Sequence, residues 1–279
     1  ETLGTGAGFN LGSGDRNVFI GDSAGAGYTS GSQNTFVGFA AGKAISDGGD
    51  ESVDGPSTNE LENTFIGAYA GEYSRGTDNV FIGFESGRFN SGTDCTFIGN
   101  QTGRYNQNGS DNTFVGETSG FSNTTGDDNT FLGEDAGYSN TTASDNTFIG
   151  SQAGRSNTTG YRNTFVGNEA GWDCSSGDRN TFVGDSAGID VGTGISNTMI
   201  GQGAGACTEH ADFNTFVGQR AGWDNKRTNE TDNANHNTYM GYRAGLTNRE
   251  GQFNVVMGSM ADFTSTGHNG NDYNILIGF

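Results

Sequence analysis

Five aspartates, Asp78, Asp94, Asp111, Asp128 and Asp145, recur every sixteen or seventeen residues. Carboxylates at such regular spacing are candidate oxygen ligands for a hard cation, calcium before others. The calcium-binding GGxGxD nonapeptide is absent, and aspartate also suits solvated turns, so a turn role accounts for the same pattern. Calcium is the only cofactor the residues suggest. Asn-x-Ser/Thr sequons at Asn100, Asn108, Asn123, Asn140, Asn157 and Asn229 are candidate glycan acceptors in a secreted eukaryotic chain. The alternative is that Asn and Thr satisfy turn hydrogen bonds. His210, His236 and His268 fall in different stretches, and the chain has no nucleophile elbow, HExxH or P-loop. No catalytic constellation emerges, and the chain is read as a non-enzyme. Cys95, Cys174 and Cys207 lack CxxC spacing. They are read as unreactive thiols, as one pair with a spare, or as a source of interchain disulfides.

A formal charge of −20 argues against nucleic acid, whose phosphates need a basic face, and against adsorption to anionic membranes. No apolar run approaches the ~20 residues that cross a bilayer as a helix, and no signal peptide is visible at Glu1. A mature, secreted product is the expectation.

Fifty Gly, one Pro and 31% hydrophobic residues would suggest a low-complexity chain, but the glycines keep a fixed phase. A unit N-T-F-[IV]-G-x-x-A-G followed by a polar stretch starts at Asn17 and returns at Asn34, Asn63, Asn79, Cys95, Asn112, Asn129, Asn146, Asn163, Asn180, Asn197, Asn214, Asn237, Asn254 and Asn274. Its second residue is always β-branched, its third is usually Phe, and its fifth is always Gly. That is a short strand ended by a turn. Helix is excluded, because the two recurrent glycines would each cost about 1 kcal/mol and no 3.6-residue apolar stripe survives. A unit this short cannot close a core alone, so neighbours must stack strand on strand.

The fold class expected is therefore all-β: a parallel β-solenoid of about fifteen coils, one domain over 1–279, some 70 Å long at ~4.8 Å per coil. Over-long units place insertions at 43–62, with the only proline, Pro56, and at 224–236. The recurrent first Asn is expected to form a buried amide ladder. Adjacent strand residues face opposite ways, so Phe65, Phe81, Phe97, Phe114, Phe131, Phe148, Phe165 and Phe182 form one ladder and the following Ile or Val another. Two covers are open: the Ala-Gly half of each unit is the second strand of a thin roll, with one row inside it and the other packed against another protomer, or a triangular coil buries both rows within one chain. Thr35, Thr64, Thr113, Thr130 and Thr147 form a third row, which would suit an ice-binding face.

"NTFLGEDAGYSNTTASD" from Asn129 and "NTFIGSQAGRSNTTGYR" from Asn146 resemble the NTAIGYQAG-type repeats of phage tail-fibre and bacterial surface proteins. They are similar also to the head repeats of trimeric autotransporter adhesins, with Phe here where the adhesins usually carry Ala. The resemblance covers Asn17 to Phe279 and implies a β-roll in a surface fibre. The reading is a structural subunit of an extracellular fibre or surface appendage that associates with itself by strand-edge stacking and lateral apolar packing, as homo-oligomer or head-to-tail filament. The main alternative is an adhesin or tail-fibre shaft whose loops recognise surface glycans.

Overall fold

The computed structural model describes residues 2–28, 31–43, 62–225, 234–248, 250–263 and 272–278. The chain resolves into two compact units, Glu1–Thr142 and Ala143–Phe279, and each is a parallel β-solenoid. The first carries β1 (Thr2–Leu3), β2 (Val18–Ile20), β3 (Thr35–Val37), β4 (Thr64–Ile66), β5 (Val80–Ile82), β6 (Thr96–Ile98), β7 (Thr113–Val115) and β8 (Thr130–Leu132). The second carries β9 (Thr147–Ile149), β10 (Thr164–Val166), β11 (Thr181–Val183), β12 (Thr198–Ile200), β13 (Thr215–Val217), β14 (Thr238–Met240), β15 (Val255–Met257) and β16 (Ile275–Ile277). No helix occurs among the described residues.

Strands pair in chain order at the same repeat position: Thr113 with Thr130, Phe114 with Phe131 and Val115 with Leu132 in the first unit, Phe165 with Phe182 in the second. Of the two expected insertions, 44–61 and 226–233 lie outside the described residues. The strands on either side keep register, Thr35 opposite Thr64 and Thr215 opposite Thr238, so the extra length leaves coil stacking intact.

The strand is three residues long because its sequence permits no more. Thr and Ile or Val favour the extended backbone, and the glycine that follows ends it at a φ such as +135° in Gly150. A Cβ there would sit 2.3 Å from the carbonyl oxygen of Gly167 in the next coil. The Ala-Gly half of each unit is a turn, not the second strand that was one of the expected covers. Its Ala is buried and its Gly lies under the aromatic ring: a Cβ on Gly154, at φ +58°, would meet Phe148 Cδ2 at 2.5 Å. The Phe row therefore points inward and is wholly buried. Rings stack at 4.7 to 4.9 Å with near-parallel planes along Phe65, Phe81, Phe97, Phe114 and Phe131, and along Phe148, Phe165 and Phe182. Such pairs add ~0.5–1.5 kcal/mol each beyond their burial.

Two columns of non-glycine residues adopt positive φ in coil after coil. One precedes the unit's first Asn, as in Asp111, Arg162 and Phe213; the other is its seventh residue, as in Glu85, Gln152 and Arg220. Left-handed backbone costs an ordinary residue roughly 1–2 kcal/mol, which the stacked ladders must offset. Gly154→Ala combines overpacking with that backbone cost and is expected to destabilise the chain by about 2 kcal/mol or more. Phe165→Ala should cost about 3–5 kcal/mol through the cavity it leaves. Both are read as drops in the urea unfolding midpoint.

Candidate functional surface

The outer face of each sheet carries the residues on either side of Phe. In the first unit Ile20, Ile66, Ile98 and Leu132 are exposed by a little over a third. In the second, Ile149 is 38% and Ile200 is 40% exposed, and Met240 and Met257 continue the row. Beside it runs the threonine row, Thr113 and Thr130 in the first unit and Thr147 and Thr164 in the second, half-buried and facing the same way. Neither row holds a charged residue. Each unit thus presents a continuous, uncharged apolar-and-hydroxyl strip.

The buried side of the coil is polar to an unusual degree. The unit's first Asn forms the expected amide ladder. Asn146 Nδ2 donates to Gly160 O at 2.9 Å, closing its own coil, while its Oδ1 accepts the backbone N–H of Asn163 at 2.9 Å in the next. A second amide ladder runs through the unit's twelfth residue, and here the sequons are relocated. Asn123, Asn140 and Asn157 are wholly buried. Asn140 Nδ2 donates to Asn123 Oδ1 at 2.8 Å, and Asn157 Nδ2 to Gly160 O at 3.0 Å. The threonines after them bridge coils as well, Thr124 Oγ1 to Thr141 O and Thr158 Oγ1 to Ser175 O. A glycan on any of these three amides would have to replace the ladder, so in the folded chain they are structural. Asn100 and Asn108 are exposed, and Asn229 lies outside the described residues.

Asp78, Asp94, Asp111, Asp128 and Asp145 are exposed and have φ between +57° and +62°. Asp tolerates that backbone better than most residues, and as exposed carboxylates they are hydrated and screened. Arg162 Nε lies 3.5 Å from Asp145 Oδ2 in an exposed pair. Among the described residues no three His, Cys, Asp or Glu side chains group as a metal site. His210 Nδ1 lies 2.8 Å from Thr193 Oγ1. His236 is stacked between Phe213 and Phe253 at 4.9 and 4.8 Å, and His268 lies outside the described residues.

All three cysteines are free thiols. Cys95 replaces the first Asn of its unit, with the Asn79 Oδ1 bond to its backbone kept at 2.9 Å and Sγ donating to Gly109 O at 3.4 Å. Cys174 replaces the twelfth-residue Asn, with Sγ 3.8 Å from Gly177 O. Burial pushes both thiols from about 9 up to about 12. Buried as they are, neither can reach a second chain.

One corner of the first unit gathers charge and aromatic rings. Arg88 Nε lies 2.7 Å from Glu72 Oε2, and its head also meets Glu85; Arg104 Nε is 2.9 Å from Glu85 Oε2. Burial disfavours the charge on Arg88, but Glu72, helped by Glu85, outweighs it, and the guanidinium pKa is raised. Both heads lie over Phe89, at 5.3 and 5.7 Å from its centroid. Acid and base here neutralise each other.

Comparison with known protein families, curated proteins and solved structures finds no match to the chain.

Two outcomes follow from the ladders. Asn140→Ala removes the donor to Asn123 and should cost roughly 1–3 kcal/mol in urea unfolding. Iodoacetamide near neutral pH should modify half-buried Cys207 in the native chain, and Cys95 and Cys174 only in denaturant. The alkaline limb of stability has a definite sign. Burial raises the folded pKa of Cys95 and Cys174, and those of Tyr28 and Tyr239 as well. Their contribution is complete below the unfolded thiol pKa and is lost as pH rises through the folded one. The urea midpoint should therefore hold near pH 8 and fall between pH ~9 and ~12. A Cys95→Ala/Cys174→Ala chain should show a shallower fall.

Proposed function

We propose that this chain is a non-enzymatic structural subunit of an extracellular fibre or surface appendage, and that it associates laterally with further copies of itself. The observation that carries the reading is the outward Ile/Val/Met row. A soluble monomer rarely keeps so long an apolar strip in water, and a stack of coils repeats the strip at every step. The ladders within each unit supply stiffness: strand bonds tie successive coils, and stacked rings and amide columns reinforce them along runs such as Phe65 to Phe131 and Phe148 to Phe182. The extracellular setting rests on the resemblance of the repeats to those of tail-fibre and surface proteins.

The outer strip is uncharged, whereas the chain as a whole carries −20. Lateral association should therefore strengthen with salt, as screening removes long-range repulsion while the apolar contact persists. Sedimentation and electron microscopy of the purified chain at low and high salt should show oligomers or laterally bundled filaments. Ile149→Lys with Ile200→Lys should abolish them and leave the circular dichroism spectrum unchanged. Monomers alone at every salt, up to on the order of 0.1 mM protein, would contradict the reading, because an apolar contact of useful strength saturates well below that concentration.

A further inference from the structure

The second unit repeats the charged corner of the first with a different charge balance. Arg220, Trp223, Asp224, Arg243, Leu246 and Thr247 line a cleft of about 300 Å³, at the low end of the ~300–1,000 Å³ typical of small-molecule sites. Repeat phase makes the two corners directly comparable. Glu85, Arg220 and Arg243 are all seventh residues of their units; Glu72, Arg88, Arg104, Trp223 and Leu246 are all tenth residues. Where the first unit places an acid among its arginines, the second places two arginines in consecutive coils.

Neither of those arginines joins an ion pair among the described residues, and Arg243 Nε is buried without a hydrogen-bond partner. Aromatic faces hold both heads in place: the Arg220 guanidinium lies 4.9 Å from the Trp223 ring centroid and that of Arg243 5.1 Å from Tyr242. The coil below makes room for the indole. Gly203 stands where the neighbouring coils have Ser186 and Arg220, and a Cβ on it would meet Trp223 Cζ3 at 2.5 Å. Across the cleft, Thr247 Oγ1 donates to Asp262 Oδ2 at 2.9 Å, which orients the hydroxyl and leaves its oxygen able to accept.

We infer that this cleft binds a carboxylate-bearing sugar ring. Its carboxylate meets the Arg220 and Arg243 heads, its apolar ring face lies along Trp223 and Leu246, and its hydroxyls reach Asp224 and Thr247. Guanidinium forks match a carboxylate geometrically, a ring of this size fits the volume, and an oxygen at Arg243 Nε satisfies a buried donor that the fold leaves open beside the cleft. The site does not rest on the fibre reading, since a monomer and a bundled filament would both carry it.

The chain has two tryptophans, so Trp172→Phe leaves the indole of Trp223 as the reporter. Titration of that full-length chain with D-glucuronate should give a saturable fluorescence change at millimolar concentration or below, with none from D-glucose and at least tenfold weaker binding of inorganic sulfate. Adding Arg243→Gln should weaken glucuronate binding roughly tenfold or more, the scale of one lost charge-assisted hydrogen bond, with thermal unfolding unchanged. Arg220→Gln carries the same expectation should Arg243→Gln fail to fold. The inference is overturned if the folded chain gives no saturable change, if glucose or sulfate binds as well as glucuronate, or if binding survives the arginine substitution.

Discussion

An aromatic ring resting on the bare Cα of a glycine six residues later sets the cross-section of the Phe-bearing coils. Phe148 over Gly154 leaves no space for a Cβ, so the strand and the turn that follows are held at van der Waals contact with one side chain between them. A coil this thin has an interior one ring wide. It cannot hold an ordinary layered core, and burial must instead run along the axis, ring on ring, at the strand spacing. The strict glycine phase, the three-residue strand and the tolerance of positive φ at Asp111 or Gln152 all follow from that narrow interior.

The same constraint explains how a chain only 31% hydrophobic folds. Apart from the Phe row and the small Ala of the turn, much of the space inside the coil is filled by amides which, like Asn146, close their own coil and clamp the next. Buried polar groups are costly only when unpaired, and a ladder pairs them by repetition. The cysteines show how specific the requirement is. Cys95 and Cys174 sit where an amide is expected and keep part of its hydrogen bonding through sulfur, with burial holding their protons on.

With most of the interior committed to the repeat, the seventh and tenth residues of the unit carry much of the variation between coils. The tenth residue of the unit is Arg in Arg88 and Arg104 but Trp in Trp223, and the seventh is Glu in Glu85 but Arg in Arg220 and Arg243. One corner of the coil is thereby self-neutralised in the first unit and cationic in the second, on an unchanged backbone. Function can vary along such a scaffold without disturbing what holds it together.

Much of this was legible from residues alone. The fixed Gly, the β-branched second position and the seventeen-residue return determined a parallel solenoid, and the recurrent first Asn determined its amide ladder, because each is a local rule repeated. The sequence also required that Phe and its neighbour face opposite ways. Which of them faces inward was decided only by the turn: the Ala-Gly half curls back under Phe, where a second strand was an equally good reading of small residues. The sequons at Asn123, Asn140 and Asn157 were visible as a ladder, but their burial depends on the path of the turn that closes the coil. Positive φ at Arg162 or Phe213 left no trace in residue type, since stacking imposes it from outside. The pairing of Arg220 with Arg243 across consecutive coils likewise arises from axial neighbours twenty-three residues apart, a distance that only the coil's closure turns into contact.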